Sequence, residues 1–226
     1  MMEEFQAGDR TARGYLALPT GATGPAPGVL VLHAWWGLTD LFTSVCDRLA
    51  DAGFVAFAPD LYDGPTATTI ADAERLMRAS DEARSRAVAD AAVAYLRAHP
   101  AVHRGPIGAT GFSMGAAWAF LLSALRPDDL AAVIAFYGTT EGVDFAAARA
   151  AYLGHFADQD QFEPLASVRV LEEEIRSAGR DVTFHVYPGT THWFFEDNRP
   201  DAYDAEAARL AWERTVAFLR HQLVKT

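Results

Sequence analysis

A serine between two glycines is the residue of this 226-residue chain whose surroundings most clearly predict chemistry. Gly111-Phe112-Ser113-Met114-Gly115 has the pattern Gly-x-Ser-x-Gly, which forms a nucleophile elbow where a strand turns sharply into a helix. Residues 105–110 before it form a short apolar stretch that is typical of a buried strand. Residues 116–122 after it are rich in helix formers. We therefore expect Ser113 to stand exposed at a strand-to-helix turn and to act as a nucleophile.

A serine hydroxyl is a weak nucleophile at neutral pH, so it needs a general base within hydrogen-bond reach and a third group that orients the base. With a serine elbow, the acid and then the histidine follow along the chain, each in a loop after a strand. Of the seven histidines, only His192 lies in a turn-rich loop after the last predicted strand. His155 and His185 fall inside predicted strands, where packing roles are expected. His192 is therefore the predicted base.

The acid has more than one candidate. Asp158 and Asp160 both follow the predicted strand 152–157, and Asp144 follows the strand before it. A carboxylate at a strand-to-helix junction can also serve only as a helix cap. Position alone therefore leaves Asp158 and Asp160 tied, with Asp144 as an outside candidate.

An oxyanion hole requires backbone N–H groups aimed at the negative charge that develops during acyl transfer. One is expected from Met114, the residue after the nucleophile. The other is expected from Trp35, or a residue close to it, in the loop after the apolar strand 28–33. Gly37 would help that loop to turn tightly.

Strands and helices alternate along the chain, which predicts a single α/β domain over residues 1–226. Almost unbroken apolar runs, such as 28–33, are typical of strands in a parallel sheet covered by helices on both faces. The short connection 138–152 leaves no room for a separate cap domain, so an open site is expected. The predicted strands are 14–19, 28–33, 54–60, 105–110, 131–137, 152–157 and 181–187; the predicted helices are 41–52, 66–99 with a break at 80–81, 116–126, 164–178 and 201–224.

Composition limits the partners and the setting. The net charge of −11 argues against nucleic acid or an anionic membrane as a partner, because both are negatively charged. No Cys/His cluster has zinc spacing and no dinucleotide or Walker fingerprint occurs, so neither a metal nor another cofactor is expected. The single cysteine, Cys46, excludes an internal disulfide. The first residues lack the features of a signal peptide, and we expect a cytoplasmic protein.

Several blocks, in their order and spacing, resemble the dienelactone hydrolase family of α/β-hydrolases. The resemblance runs from Val29 to about Leu219 and so covers nearly the whole chain. The blocks are His-Ala-Trp-Trp-Gly-Leu at 33–38, Ala-Pro-Asp-Leu-Tyr at 58–62, Gly-Phe-Ser-Met-Gly at 111–115, Phe-Tyr-Gly at 136–138, Asp-Gln-Asp-Gln-Phe-Glu-Pro at 158–164 and Tyr-Pro-Gly-Thr-Thr-His-Trp-Phe at 187–194.

The resemblance implies an α/β-hydrolase fold and a hydrolytic triad. The acid of the family precedes an x-Phe-x-Pro segment, which matches Asp160 followed by residues 161–164. This breaks the tie in favour of Asp160. The family's base matches His192, and its strand-end oxyanion donor matches Trp35.

Three residues depart from the best-known members of that family. Ser113 stands where they have a cysteine nucleophile, and Ala34 where they have a glutamate that helps to activate the thiol. Glu196 stands where they have an arginine that holds a substrate carboxylate. A carboxylate there would repel an anionic substrate, so an uncharged substrate is expected.

The predicted function is hydrolysis of a carboxylic ester, lactone or thioester of a small molecule through an acyl-enzyme on Ser113. A non-catalytic binding protein that kept the elbow as a scaffold is an alternative, because fold does not fix function. Acyl transfer to an acceptor other than water is another, and the sequence does not predict the oligomeric state. The aromatic side chains predicted to line the substrate pocket are Trp36, Tyr62, Tyr137, Trp193 and Phe194.

Overall fold

The computed structural model describes residues 1–224, so the last two residues of the predicted domain 1–226 lie outside the described part of the chain. Residues 1–224 contain eight strands and six helices. The strands are β1 (Met2–Ala7), β2 (Arg10–Ala17), β3 (Gly28–Leu32), β4 (Val55–Pro59), β5 (Ile107–Phe112), β6 (Leu130–Phe136), β7 (Ala151–Ala157) and β8 (Val182–Tyr187). The helices are α1 (Asp40–Asp51), α2 (Ile70–Ala79), α3 (Glu82–Ala98), α4 (Met114–Leu125), α5 (Leu165–Ser177) and α6 (Ala205–Leu223).

The eight strands form one sheet in the order β1-β2-β4-β3-β5-β6-β7-β8. β1 pairs with β2, and β2 with β4, in antiparallel fashion. From β4 to β8 every neighbouring pair is parallel. The predicted α/β class with a mostly parallel sheet is therefore confirmed, and β5, which precedes Ser113, lies between β3 and β6 near the centre.

Helices cover both faces of the sheet, as predicted. One apolar core lies between the sheet and α3, α4 and α5, with side chains such as Val88, Phe120 and Leu171. A second core lies on the opposite face against α1 and α6, with side chains such as Phe42 and Leu219. β3 and β5 are buried along their whole length, which explains why their sequences are apolar or small throughout.

The first strand, β1, was not predicted from the sequence. β1 contains Glu3, Glu4 and Gln6 and buries only Phe5 and Ala7, because it lies at the edge of the sheet. Its pattern is that of a half-exposed antiparallel strand, which differs from the apolar runs of the parallel strands. β2 also begins four residues earlier than predicted, because its first residues pair with β1.

The connection from β6 to β7, residues 137–150, is described throughout and contains neither a helix nor a strand. This agrees with the prediction of no separate cap after the elbow. Among the described residues, no helix is both long enough and apolar enough to cross a membrane.

Candidate active site

Four strands of the parallel part of the sheet end next to the residues that the sequence singled out. Trp35 follows β3, Ser113 follows β5, Asp160 follows β7 and His192 follows β8. Because parallel strands all point the same way, their carboxyl ends meet at one edge of the sheet, which is where α/β proteins place their sites. The topology therefore brings residues that are up to 157 positions apart in the chain to one place.

Ser113 occupies a strained turn between β5 and α4. Its backbone has φ of 51° and ψ of −115°, outside the regions that a non-glycine residue ordinarily adopts. The Ser113 N–H donates to Phe136 O at 2.9 Å, which ties the turn to the end of β6. A Cβ atom on Gly115 would overlap Leu32 O, and one on Gly111 would overlap the backbone of Gly115. The two glycines thus allow the close backbone approach that the turn requires.

Ser113, His192 and Asp160 form one hydrogen-bonded chain. Ser113 Oγ lies 3.1 Å from His192 Nε2, and His192 Nδ1 lies 2.7 Å from Asp160 Oδ2. A carboxylate can only accept, so Nδ1 carries the proton and Nε2 is left free to accept the serine proton. The side chains of His192 and Asp160 are only 4% and 2% exposed, which shields their interaction from water.

The second oxygen of Asp160 is held by the backbone. Asp160 Oδ1 accepts hydrogen bonds from Phe162 N at 2.8 Å and Glu163 N at 3.0 Å. These two bonds orient the carboxylate so that Oδ2 faces the imidazole. Asp158 is exposed to solvent, and Asp144 accepts a hydrogen bond within its own loop. Of the three candidate acids, the structure therefore joins only Asp160 to His192.

Two backbone N–H groups are available beside the nucleophile. Met114 is the first residue of α4, where an N–H has no partner within the helix. Trp35 lies in the turn after β3, and its N–H donates to no other described residue. β3 and β5 are neighbours in the sheet, so the two residues follow adjacent strand ends. The assignment of Trp35 and Met114 as oxyanion donors stays a prediction.

His33 fixes the loop that carries Trp35. Its Nδ1 lies 2.7 Å from Ala34 O, and its Nε2 accepts a hydrogen bond from Leu61 N at 3.0 Å. The ring is thus a neutral imidazole with the proton on Nδ1. Burial lowers the pKa of His33 to about 4, which keeps it neutral at physiological pH. His33 therefore connects the loop after β3 to the loop after β4.

The predicted pocket walls fall into two groups. Tyr137 and Phe194 have no exposed surface, so they cannot contact a substrate directly in this conformation. Trp36 and Trp193 are 3% and 6% exposed and pack mainly against one another and their neighbours. Tyr62 is partly exposed. The prediction was wrong for Tyr137 and Phe194, because a sequence does not distinguish an aromatic ring that faces a site from one that packs beneath it.

Two accessible side chains beside the triad were not predicted to line the pocket. The Phe162 ring is 41% exposed, and its centroid lies 4.9 Å from that of His192 and 5.9 Å from that of Trp35. The Met114 side chain is half-buried, and its Sδ accepts a hydrogen bond from Tyr62 Oη at 3.1 Å. Phe162 lies in the segment that identified Asp160, which was the available signal.

Glu196 does not project into the site as a free carboxylate. It is fully buried, and Oε1 accepts a hydrogen bond from the Tyr137 hydroxyl at 3.0 Å. Its Oε2 lies 3.3 Å from Arg199 Nε, an ion-pair contact. Burial raises the pKa of Glu196 to about 7, although the Tyr137 bond and the Arg199 charge act in the opposite direction. The expected repulsion of an anionic substrate by Glu196 is therefore not supported, because the carboxylate is paired within the protein.

A serine elbow at the centre of a mostly parallel sheet, with an acid and a histidine after later strands, defines an α/β-hydrolase. More narrowly, the chain belongs to the dienelactone hydrolase family, because the profile of the Dienelactone hydrolase family matches residues 12–223. The resemblance inferred from the sequence is thus confirmed. Members of this family are hydrolases that act on ester bonds, and so is this protein.

Individual proteins are similar to this chain along nearly their whole length. The protein named usf of Aquifex pyrophilus is 34% identical over 98% of both chains. A protein of Aquifex aeolicus, provisionally named as a carboxymethylenebutenolidase, is 35% identical over 98% of both chains. A crystal structure from Klebsiella pneumoniae, provisionally described as a dienelactone hydrolase, superposes with a TM-score of 0.86 at 26% identity, covering 97% of this chain and 98% of that one.

Proposed function

We propose that this protein hydrolyses small, uncharged carboxylic esters or lactones through a covalent acyl-enzyme on Ser113. The observation that carries the proposal is the continuous hydrogen-bonded chain from Ser113 Oγ through His192 to Asp160. The strained turn at Ser113 is a second support, because strain of this kind is retained where function requires it.

In the first half of the reaction, Ser113 Oγ attacks the substrate carbonyl carbon while His192 Nε2 takes the hydroxyl proton. The carbonyl oxygen becomes an oxyanion, which the N–H groups of Trp35 and Met114 stabilise. The tetrahedral intermediate then collapses: the bond to the leaving alcohol breaks, and His192 returns the proton to that oxygen. Asp160 holds the imidazole in the required tautomer and stabilises its positive charge.

In the second half, water replaces the alcohol. His192 Nε2 takes a proton from the water, whose oxygen attacks the acyl carbon. The second tetrahedral intermediate releases the carboxylic acid as its bond to Ser113 Oγ breaks and His192 returns the proton to the serine. With a lactone, the leaving alcohol remains part of the product, so one hydroxy acid is formed.

The preference for an uncharged substrate rests on the side chains that are accessible beside the triad. Phe162, Tyr62 and the Met114 thioether are apolar or neutral, and burial raises the pKa of the Tyr62 hydroxyl to about 12, which keeps it protonated. Arg199 lies three residues after Glu196, and its guanidinium is paired with the Glu196 carboxylate. A substrate carboxylate would therefore lose hydration without gaining a free cationic partner. The name of the Aquifex aeolicus relative supports a lactone ring as one candidate substrate, but the lactone in that name carries a carboxylate, so the preference for a neutral substrate rests on the accessible side chains alone.

The direct test is covalent labelling of the serine. A fluorophosphonate probe should modify the wild-type protein on Ser113, and Ser113→Ala should abolish the labelling. The same substitution should lower turnover of nitrophenyl acetate at least about 1000-fold, while the melting temperature changes little. Ser44→Ala, an exposed serine on α1, is the matched control and should retain both activities. A wild-type protein that is folded but neither labels nor hydrolyses would overturn the proposal.

Substrate charge is tested separately. Neutral lactones and esters should be hydrolysed with a higher kcat/KM than analogues of the same size that carry a carboxylate. A clear preference for the carboxylate-bearing analogues would contradict the neutral-substrate part of the proposal and leave the serine mechanism intact.

A further inference from the structure

The guanidinium of Arg199 lies against two tryptophan rings next to the triad. Arg199 Cζ is 3.6 Å from the ring centroid of Trp36 and 4.7 Å from that of Trp193. Both distances are within the range of cation–π attraction. The two rings are themselves in contact, with centroids 5.5 Å apart. Arg199 thus joins the loop after β3 to the loop after β8.

A buried carboxylate completes this contact. Glu196 Oε2 lies 3.3 Å from Arg199 Nε, and Glu196 Oε1 accepts the hydrogen bond from the Tyr137 hydroxyl. In addition, the backbone N–H of Arg199 donates a hydrogen bond to the backbone carbonyl oxygen of Glu196 at 2.9 Å. Since the Arg199 side chain is only 16% exposed, removal of either charged group would leave the other largely buried and poorly paired. We call Trp36, Tyr137, Trp193, Glu196 and Arg199 the arginine clamp.

The arginine clamp draws its residues from three loops, two of which carry proposed catalytic groups. Trp36 directly follows Trp35, and Trp193 directly follows His192. Tyr137 follows β6, and its ring centroid lies 5.0 Å from that of His192. The backbone at Trp193 has φ of 67°, a conformation that a tryptophan holds only when its surroundings impose it.

We propose that Arg199 is a positioning residue that holds the Trp35 N–H and the His192 imidazole at the separation the reaction requires. The inference rests on the proposed function, because it assigns Trp35 as an oxyanion donor and His192 as the base. Stabilisation of an oxyanion depends on donors fixed close to the developing charge. A displacement of about 1 Å in such a group can cost about 100-fold in rate. Arg199 acts on the reaction only through its neighbours, so loss of the clamp should lower kcat more than it raises KM.

The test compares Arg199→Met, which keeps an unbranched apolar side chain without charge, with Arg199→Lys, which keeps the charge without the planar guanidinium. With a neutral nitrophenyl ester, Arg199→Met should lower kcat by about 10- to 100-fold, with a change in KM of less than about 3-fold. Labelling of Ser113 by the fluorophosphonate should slow in parallel. Arg199→Lys should recover part of the lost kcat. Arg209→Met, at an exposed site on α6, is the matched control and should behave as wild type.

A role confined to packing would give a different result. Arg199→Met would then lower the melting temperature while the folded protein kept the wild-type kcat and labelling rate, and that outcome would overturn the inference. If Arg199→Met does not fold, Trp36→Leu and Trp36→Phe test the same contact. Trp36→Leu should lower kcat, because it removes the ring, whereas Trp36→Phe should retain most of the wild-type kcat. Equal kcat values for these two variants would count against the arginine clamp. Failure of the proposed function would look different from failure of this inference. In that case the wild-type protein itself would neither be labelled by the fluorophosphonate nor hydrolyse the ester.

Discussion

His192 Nδ1 and Asp160 Oδ2 lie 2.7 Å apart, while Asp160 Oδ1 accepts two backbone hydrogen bonds. Each oxygen of the carboxylate therefore has a separate role: one is fixed by the backbone and the other orients the imidazole. An asparagine could keep the two backbone bonds through its carbonyl oxygen. Its NH2 group would then face His192 Nδ1 as a donor, and the ring would have to adopt the wrong tautomer.

We predict that Asp160→Asn lowers kcat for a nitrophenyl ester by roughly 10³- to 10⁴-fold, because the base loses the tautomer that can accept the serine proton. The melting temperature should change little, since the backbone bonds can be retained. Asp158→Asn is the matched control: it makes the same chemical change at an exposed position two residues away. The reverse pattern, in which Asp158→Asn is inactive and Asp160→Asn is active, would assign the acid to Asp158.

The close approach of α4 to β3 gives the second prediction. A Cβ atom on Gly115 would overlap the carbonyl oxygens of Leu32 and His33, which are backbone atoms that cannot move aside cheaply. We expect Gly115→Ala to lower the free energy of unfolding by about 1–3 kcal/mol, measured by urea denaturation. It should also lower kcat, because the elbow and the loop after β3 are forced apart. Gly24→Ala, where a Cβ meets no atom, should change stability by less than about 1 kcal/mol, and an equally small effect at Gly115 would refute the argument.

The neutral imidazole of His33 gives the third prediction. His33→Leu would leave the buried Leu61 N–H without its hydrogen-bond partner, which costs about 1–3 kcal/mol. Ala34 O would lose its contact with His33 Nδ1 and keep the hydrogen bond from Gly37 N. Because these bonds hold the loop that presents the Trp35 N–H, kcat should fall more than KM rises. Urea denaturation and steady-state kinetics measure the two effects. His221→Leu, at the exposed end of α6, should show neither, and a wild-type kcat in folded His33→Leu would remove His33 from the support of the site.

Residue types and spacing predicted most of the fold and the three residues that the structure joins in one hydrogen-bonded chain. Ser113 was predictable because its glycine neighbours permit only one kind of turn, and His192 because it alone follows the last strand in a loop. Asp160 could not be separated from Asp158 by position, since successive residues in a loop differ only in the direction of their side chains. The segment Phe162 to Pro164 supplied that information through the family resemblance.

The predictions that were wrong have a common physical reason. Tyr137 directly follows a strand end and Phe194 lies two residues after His192, but both side chains are fully buried. The family resemblance predicts that Glu196 faces the substrate, whereas the fold buries it beside Arg199, three positions along the chain. Short-range sequence patterns predict which backbone segments meet, but the direction of each side chain depends on the tertiary packing around it. The same limitation hid the arginine clamp, because its members come from three separate loops.

The raised pKa of Glu196 gives the last prediction, which concerns stability. Glu196 titrates near 4.5 as an unfolded residue and near 7 in the folded protein, mainly because of its burial. The folded state therefore binds the proton more tightly, so the contribution of Glu196 to the free energy of unfolding is fully present below pH 4.5. It is lost as the pH rises to 7, by about 3 kcal/mol in total.

A buried histidine changes the free energy of unfolding with pH in the opposite direction. The pKa of His33 is lowered from 6.5 to about 4, so its contribution to stability increases as the pH rises through that interval. The pH dependence of the wild-type protein alone is therefore not diagnostic. The informative quantity is the unfolding free energy of wild type minus that of Glu196→Gln, in which the other groups cancel.

This difference should fall by about 3 kcal/mol between pH 4.5 and pH 7.5, when urea denaturation is carried out across that range. Glutamine can still accept the Tyr137 hydrogen bond, so the substitution removes the ionisation and the charge that faces Arg199 while it retains the shape of the side chain. Glu206→Gln, at an exposed position on α6, should give a difference that does not vary with pH by more than about 0.5 kcal/mol. A flat difference for Glu196→Gln would mean that the Arg199 charge offsets the cost of burial, and that Glu196 remains ionised throughout this pH range.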